Sequence, residues 1–133
     1  MTKAKAVHSM IRVLDEKRSV EFYDKAFGLK LADKYDFGDF ALIYLRNEQA
    51  PFEVELTVNG DRKEPYDLGN GYGHLAVTVE SIDAEHDRLE KAGLAPGAVK
   101  DFKHQGKTLA RFFFISDPDG YKIEVIERGG RFV

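Results

Sequence analysis

Four residues of two types are candidate ligands of a metal ion. They are two histidines and two glutamates, His8, Glu55, His74 and Glu124. Imidazole nitrogen and carboxylate oxygen together suit a divalent first-row ion, with coordination positions left for water or substrate. The chain contains no cysteine, so thiolate ligands, disulfides and cysteine nucleophiles are excluded. The sequence therefore predicts a metal site of nitrogen and oxygen ligands if the fold brings these side chains together.

The spacing of the four residues indicates a duplicated unit. Each histidine stands at the head of a short strand that leads into a helix, and each glutamate lies on the last strand of its half. The interval from His8 to Glu55 is only three residues shorter than the interval from His74 to Glu124. Taken singly, each residue has a simpler interpretation as part of a solvated strand face. Their matched spacing favours a metal site to which each half contributes one histidine and one glutamate.

Hydrophobic periodicity predicts the same order of elements in both halves, a strand, a helix and three more strands. In the first half we expect strands over 6–14, 29–35, 40–45 and 52–58 and a helix over 19–27. In the second half we expect strands over 74–80, 98–102, 109–115 and 121–127 and a helix over 81–92. The predicted fold class is α+β, in a single domain of residues 1–133. Module one spans about 5–60, a polar linker about 60–72, and module two about 73–128.

Three connections carry specific expectations. Gly28 ends the first helix, and Asp83 or Ser81 caps the second. Asp117-Pro118-Asp119-Gly120 predicts a tight turn, because proline presets one backbone dihedral and glycine accepts a positive one. Residues 103–107 are expected to form an exposed loop.

Composition narrows the functional class. With 43% hydrophobic and 32% charged residues, the chain resembles an ordinary globular domain. The net charge of -3 argues against nucleic acid or an anionic membrane surface as the main partner. No apolar run is long enough to span a bilayer, and the few residues before the first strand are too short for a signal peptide. The expected location is the cytoplasm.

Several segments resemble glyoxalase I, the lactoylglutathione lyase family of the vicinal oxygen chelate superfamily, in its short bacterial form. The resemblance covers about residues 7–127. It is carried by residues 8–13, 22–23, 28–29, 53–59, 72–77 and 117–127. The Asp-Pro-Asp-Gly turn identifies only the superfamily, whereas Glu55-Leu-Thr-x-Asn59 and the full set of four ligand positions are more selective.

The resemblance implies a specific architecture and metal site. It implies paired βαβββ modules that form a curved, cup-shaped mixed sheet with helices on the outer face. The family's metal ligands fall on His8, Glu55, His74 and Glu124, with one divalent ion per site. Nickel or cobalt is favoured, and zinc is the alternative. The family also implies a homodimer with active sites at the interface, so that the ligands of one site come from one chain or from two.

The resemblance also implies a reaction. The hemithioacetal of methylglyoxal and glutathione is isomerised to S-D-lactoylglutathione through a metal-stabilised enediolate. Glu124 is the expected principal base, with Glu55 as the second catalytic carboxylate. Arg12 and Asn59 are expected to hold the γ-glutamyl end of glutathione. The candidates for its glycine carboxylate are two lysines, Lys103 and Lys107.

Two other classes stay open. One is another metalloenzyme of the same fold, such as a thiol transferase, an epimerase or an extradiol dioxygenase. Transferases and dioxygenases of this fold usually keep two histidines and one glutamate, so Glu55 argues against them, although epimerases are harder to exclude. The other class is a metal-free small-molecule-binding protein of the bleomycin-sequestering kind, which generally loses the ligands.

Overall fold

The computed structural model describes residues 2–133, which fall into two compact units. The first unit ends at Asp67 and the second begins at Leu68. Within the described residues, each unit contains one four-stranded mixed sheet and one helix. The α+β class and the predicted order of a strand, a helix and three strands are therefore confirmed in both halves. Module one and module two below denote these two units.

Module one consists of β1 (His8–Val13), α1 (Glu16–Phe27), β2 (Lys30–Asp36), β3 (Phe40–Asn47) and β4 (Ala50–Asn59). Its sheet has the order β1-β4-β3-β2, with β1 parallel to β4 and the other pairs antiparallel. The helix starts earlier than predicted because Asp15 caps it, accepting a hydrogen bond of 2.9 Å from the backbone N–H of Arg18. It ends at Gly28 as predicted, where φ is 64°.

Module two consists of β5 (Leu75–Val79), α2 (Ile82–Lys91), β6 (Lys100–His104), β7 (Lys107–Ser116) and β8 (Lys122–Glu127). Its sheet order, β5-β8-β7-β6, repeats the connectivity of module one. Ser81, one of the two predicted caps, accepts a hydrogen bond from the backbone N–H of Ala84. No helix among residues 2–133 is long and apolar enough to cross a membrane.

One face of each sheet forms the hydrophobic core of its module, because alternate strand residues project to the same side. The buried side chains of module one's sheet include Ile11, Val13, Ile43, Leu45 and Leu56. Those of module two's sheet include Phe113, Ile115, Ile123 and Val125. Both glutamates among the candidate ligands alternate with these residues. They therefore project from the other face of each sheet.

Residues 103–107 are exposed as predicted, but the prediction that they form a loop is wrong. Those residues belong to a hairpin in which β6 and β7 are joined by a two-residue turn, Gln105-Gly106. Both turn residues have positive φ, 50° and 78°, as a tight turn that matches the twist of two antiparallel strands requires. The pattern was missed because every residue of β6 is exposed, so the strand shows no apolar alternation.

The turn at residues 117–120 is confirmed, and it leads into the strand that carries Glu124. The carboxylate of Asp117 accepts hydrogen bonds from the backbone N–H groups of Asp119 and Tyr121, at 2.9 and 3.0 Å. Gly120 has a φ of 93°, which a residue with a side chain rarely adopts. This turn fixes where β8 begins and hence the position of Glu124 along it.

Candidate metal centre

His8 and Glu55 lie together on the polar face of module one's sheet. The parallel register sets Met10 opposite Glu55, and His8, two residues earlier on β1, shares that face. The distance from Nε2 of His8 to Oε1 of Glu55 is 3.5 Å. The Glu55 side chain is only 11% exposed, while that of His8 is 39% exposed. A carboxylate so far removed from water needs polar partners.

His74 and Glu124 repeat this arrangement in module two. Ala76 lies opposite Glu124 in the parallel register of β5 and β8, and His74 precedes it by two residues. The distance from Nε2 of His74 to Oε1 of Glu124 is 3.4 Å. The exposed fractions of the two side chains are 40% and 20%. The two pairs thus have nearly the same geometry, but Glu124 is the more accessible carboxylate.

Each pair fits two adjacent ligands of a divalent ion. Two donors that each lie about 2.0–2.2 Å from a metal, at tetrahedral or octahedral angles, are about 3–3.5 Å apart. Imidazole with carboxylate is a donor set that nickel, cobalt and zinc all accept. Among residues 2–133, no group of three or more histidine, cysteine or acidic side chains is placed to hold an ion. Each module by itself therefore offers two donors.

Tyr44 of β3 lies beside the pair formed by His8 and Glu55, and the sequence did not identify it as part of the site. The β3–β4 register sets Tyr44 opposite Glu55, and its ring meets that of His8 edge-on with centroids 5.9 Å apart. A hydrogen bond to the Glu55 carboxylate, followed by desolvation, raises the pKa of Tyr44 to about 12. The only signal in the sequence was one hydroxyl in the otherwise apolar run over 40–45.

Phe114 of β7 takes the corresponding place in module two. It lies opposite Glu124 in the β7–β8 register, and its ring meets that of His74 edge-on with centroids 5.2 Å apart. Each glutamate is thus flanked by a histidine and faced by an aromatic side chain. The modules differ here by the hydroxyl group that only Tyr44 carries.

The two residues predicted to hold the γ-glutamyl end both belong to the Glu55 face. Arg12 lies opposite Thr57, which is two residues beyond Glu55 on β4. Asn59 ends that strand, and its side-chain amide donates a hydrogen bond of 3.0 Å to the hydroxyl of Tyr66. The structure therefore sets Arg12 and Asn59 on the same sheet face as the first candidate pair.

Asn59 also lines an open cavity of about 530 Å³ at the end of β4. The turn before β3 forms the other wall. The lining includes two carboxylates, those of Asp39 and Asp61. Such a cavity offers an amide and negative charge to a bound group, which suits a cationic amine.

The two lysines predicted to meet a glycine carboxylate lie on strands rather than in a loop. Lys107 pairs with His104, and Lys103 pairs with Thr108, so the two lysines project from opposite faces of the hairpin. Lys107 is on the side of Phe102, whose ring packs against Phe112 with centroids 6.3 Å apart. By the same alternation this is the face of module two that carries Glu124, so the hairpin separates the two candidates.

His86 has a structural role that the sequence did not indicate. Its Nε2 lies 2.8 Å from the backbone carbonyl of Gly97, and its ring meets that of Phe113 edge-on with centroids 5.1 Å apart. Its contacts join α2 to β7 and to the connection that follows the helix.

Comparisons with known sequences find close relatives over nearly the whole chain. A probable lactoylglutathione lyase of Synechocystis sp. is 38% identical over 130 residues, which is 94% of this chain and 96% of that protein. A lactoylglutathione lyase of Neisseria meningitidis serogroup A is 37% identical over 129 residues, or 92% and 89% of the two chains.

Comparison of structures gives the same result. The trypanothione-dependent glyoxalase I of Leishmania major superposes with a TM-score of 0.75 at 29% identity, covering 94% of this chain and 87% of the other. A family model described as the Glyoxalase/Bleomycin resistance protein/Dioxygenase superfamily matches residues 5–125. With its paired βαβββ modules and a histidine–glutamate pair in each, the chain belongs to this superfamily.

Proposed function

We propose that this chain is a metal-dependent glyoxalase I. It isomerises the hemithioacetal of methylglyoxal and glutathione to S-D-lactoylglutathione. The observation that carries the proposal is the repeated histidine–glutamate pair, at 3.5 Å in module one and 3.4 Å in module two. Support for the reaction comes from relatives named lactoylglutathione lyase that are 37–38% identical over nearly the whole chain.

The proposed ligands are His8, Glu55, His74 and Glu124. Together they offer two nitrogen and two carboxylate ligands, and the carboxylates favour an ion of higher coordination number over a closed tetrahedral site. Nickel or cobalt is therefore proposed ahead of zinc. When bound, such an ion supplies Lewis-acid stabilisation of the negative charge that develops on the substrate's oxygens.

Glu124 is the proposed general base. Its carboxylate takes the proton from the carbon that bears sulfur and returns it to the neighbouring carbon. A second proton leaves the hydroxyl oxygen on the first carbon and reaches the carbonyl oxygen on the second. The first oxygen thereby becomes the thioester carbonyl and the second a hydroxyl, with no oxidant or reductant consumed. Support for this role is accessibility, since the Glu124 side chain is 20% exposed and that of Glu55 is 11% exposed.

Charged groups of the substrate find partners on the same sheet faces. Arg12 and Asn59 are proposed to hold the γ-glutamyl carboxylate, and Asp39 and Asp61 in the adjoining cavity suit its amino group. Lys107 is proposed to meet the glycine carboxylate. Lys103, on the opposite face of the hairpin, is the weaker candidate.

The test is thioester formation by the metal-loaded protein. Purified protein is stripped, reloaded with Ni²⁺, Co²⁺ or Zn²⁺, and mixed with methylglyoxal and glutathione, and the absorbance of the thioester is followed. We expect turnover with at least one of these ions. Absence of turnover with all three would refute the proposal. A parallel arm with trypanothione in place of glutathione identifies the thiol, because the Leishmania major enzyme is described as trypanothione-dependent.

A matched pair of variants makes the assay specific to the proposed ligands. Glu53 and Glu55 lie two residues apart on the same face of β4, but Glu53 is ion-paired with Arg46 at 2.7 Å. Glu55→Gln should lose most of the activity at limiting metal, while Glu53→Gln should retain it. Equal losses of activity in the two variants would mean that negative charge anywhere on this face of β4 supports activity, and that Glu55 is not a specific ligand.

A further inference from the structure

The duplicated modules allow an internal comparison at the two carboxylates. Tyr44 lies opposite Glu55, and Phe114 lies opposite Glu124, in corresponding antiparallel registers. Each aromatic ring also meets its module's histidine edge-on, with interplanar angles of 70° and 76°. Tyr44 and Phe114 are therefore equivalent residues of the two modules. They differ by a single hydroxyl group.

That hydroxyl is engaged with a proposed ligand. The register sets it on the same sheet face as the carboxylate of Glu55, whose side chain is 11% exposed, and interaction with that carboxylate raises the pKa of Tyr44. A phenol hydroxyl in that place can donate to the carboxylate, and a hydrogen bond to an ionised group is roughly twice as strong as one between neutral groups, so it would hold the carboxylate in one orientation. Phe114 has no donor to offer Glu124, whose side chain is 20% exposed.

We propose that Tyr44 is a positioning residue for Glu55 and that the two carboxylates have different roles, because the equivalent residue in module two, Phe114, has no hydroxyl group. Glu55 is fixed as a permanent ligand. Glu124 keeps the freedom of movement that a group transferring a proton between neighbouring carbons needs. The proton-transfer half of this inference rests on the function proposed above, whereas the positioning half can be measured as metal affinity alone.

Three substitutions isolate the hydroxyl group. Tyr44→Phe deletes it and keeps the ring, which converts module one to the pattern of module two. Phe114→Tyr places a hydroxyl opposite Glu124. Tyr35→Phe is the matched control, because Tyr35 on β2 packs edge-on against Tyr44 with ring centroids 6.2 Å apart but lies opposite Leu42 rather than a proposed ligand.

The experiment measures two quantities for each variant and for a Tyr44→Phe/Phe114→Tyr double variant. One is the Kd for Ni²⁺, by competition with a chromophoric chelator. The other is kcat at saturating Ni²⁺ with methylglyoxal and glutathione. Removing a hydrogen-bond partner of a metal ligand typically costs about 10- to 100-fold in affinity or activity.

For Tyr44→Phe we expect Kd to rise about ten-fold, with a smaller loss in kcat. For Phe114→Tyr we expect kcat to fall about ten-fold while Kd does not rise, because Glu124 is then held as Glu55 is. The double variant should show both changes. Tyr35→Phe should keep the wild-type Kd.

Each contrary result has a distinct meaning. A wild-type Kd for Tyr44→Phe, or the same shift in Tyr35→Phe, overturns the positioning role. A wild-type kcat for Phe114→Tyr overturns the proposed difference in role between the two carboxylates.

A wild-type protein that binds Ni²⁺ but does not turn over refutes the proposed function and the proton-transfer half, and the Kd values still decide the positioning half. A protein that binds none of Ni²⁺, Co²⁺ and Zn²⁺ overturns both halves. Tyr44→Phe removes one atom, so it decides the positioning role even if Phe114→Tyr fails to fold.

Discussion

Glu55 and Glu124 are equivalent residues whose surroundings differ. Each lies on the last strand of its module, within 3.5 Å of a histidine nitrogen and opposite an aromatic ring. Glu55 is the more buried of the two and lies opposite the hydroxyl-bearing ring of Tyr44. The two glutamates can therefore have different roles, because the aromatic side chain opposite Glu55 on the neighbouring strand carries a hydroxyl group and the one opposite Glu124 does not.

Replacing the proposed base should stop the chemistry and leave the protein folded. We expect Glu124→Gln to lower kcat by about 10²- to 10⁴-fold, since glutamine keeps the side-chain volume but cannot accept the proton. The measurement is kcat at saturating metal, with circular dichroism to show that the fold is retained.

Glu127→Gln is the control for that variant. Glu127 lies on the opposite face of β8, where its carboxylate accepts a hydrogen bond of 3.0 Å from the backbone N–H of Ile82. Glutamine can accept the same bond, so kcat should stay near the wild-type value. A Glu124→Gln enzyme as active as this control would remove Glu124 from the base role.

The candidate ligands could be predicted from the sequence because duplication leaves a trace in it. Two histidines and two glutamates at matched intervals can be found without coordinates, and the fold sets each histidine beside its glutamate. Tyr44 could not be found in this way. Its relation to Glu55 depends on the register between β3 and β4, and nothing in the spacing of the sequence fixes that register.

At the scale of the element, the start of α1 depends on one side chain. Asp15 accepts a hydrogen bond from the backbone N–H of Arg18 and satisfies one of the donors that the first turn leaves without a partner. We expect Asp15→Ala to lower the free energy of unfolding by about 1 kcal/mol, measured by urea denaturation. Asp15→Ser should retain most of the stability, because serine also caps. An alanine variant as stable as the wild type would show that the cap is dispensable.

Element ends were the least predictable part of the fold, for two physical reasons. The first turn of α1 could not be predicted because it is charged, and helix periodicity is visible only where apolar residues recur. With its cap at Asp15, the helix starts three residues earlier than predicted. The hairpin of β6 and β7 could not be predicted because β6 is exposed throughout and the turn is Gln-Gly rather than the more typical Asn-Gly. Both errors arise where packing leaves no apolar pattern.

At the scale of the whole molecule, we propose a homodimer. The exposed large apolar side chains of the described chain support the dimer. They include Leu31, Phe37, Phe102 and Leu109, each more than 40% exposed. Burying such side chains against a second chain would remove apolar surface from water. Light scattering after size exclusion should give twice the chain mass of 15.1 kDa. A fully active species of single-chain mass would contradict the proposed dimer.

The most direct test of metal-dependent catalysis is a metal titration in which activity is measured at each step. Protein stripped of metal is titrated with Ni²⁺, and the rate of thioester formation from methylglyoxal and glutathione is recorded against the amount of ion bound. We predict no turnover without metal, a rate that rises in proportion to bound Ni²⁺, and a plateau when each site is filled. His8→Ala and His74→Ala should both need more Ni²⁺ to reach half of their maximal rate. A rate that is the same with and without bound metal would contradict metal-dependent catalysis by this protein.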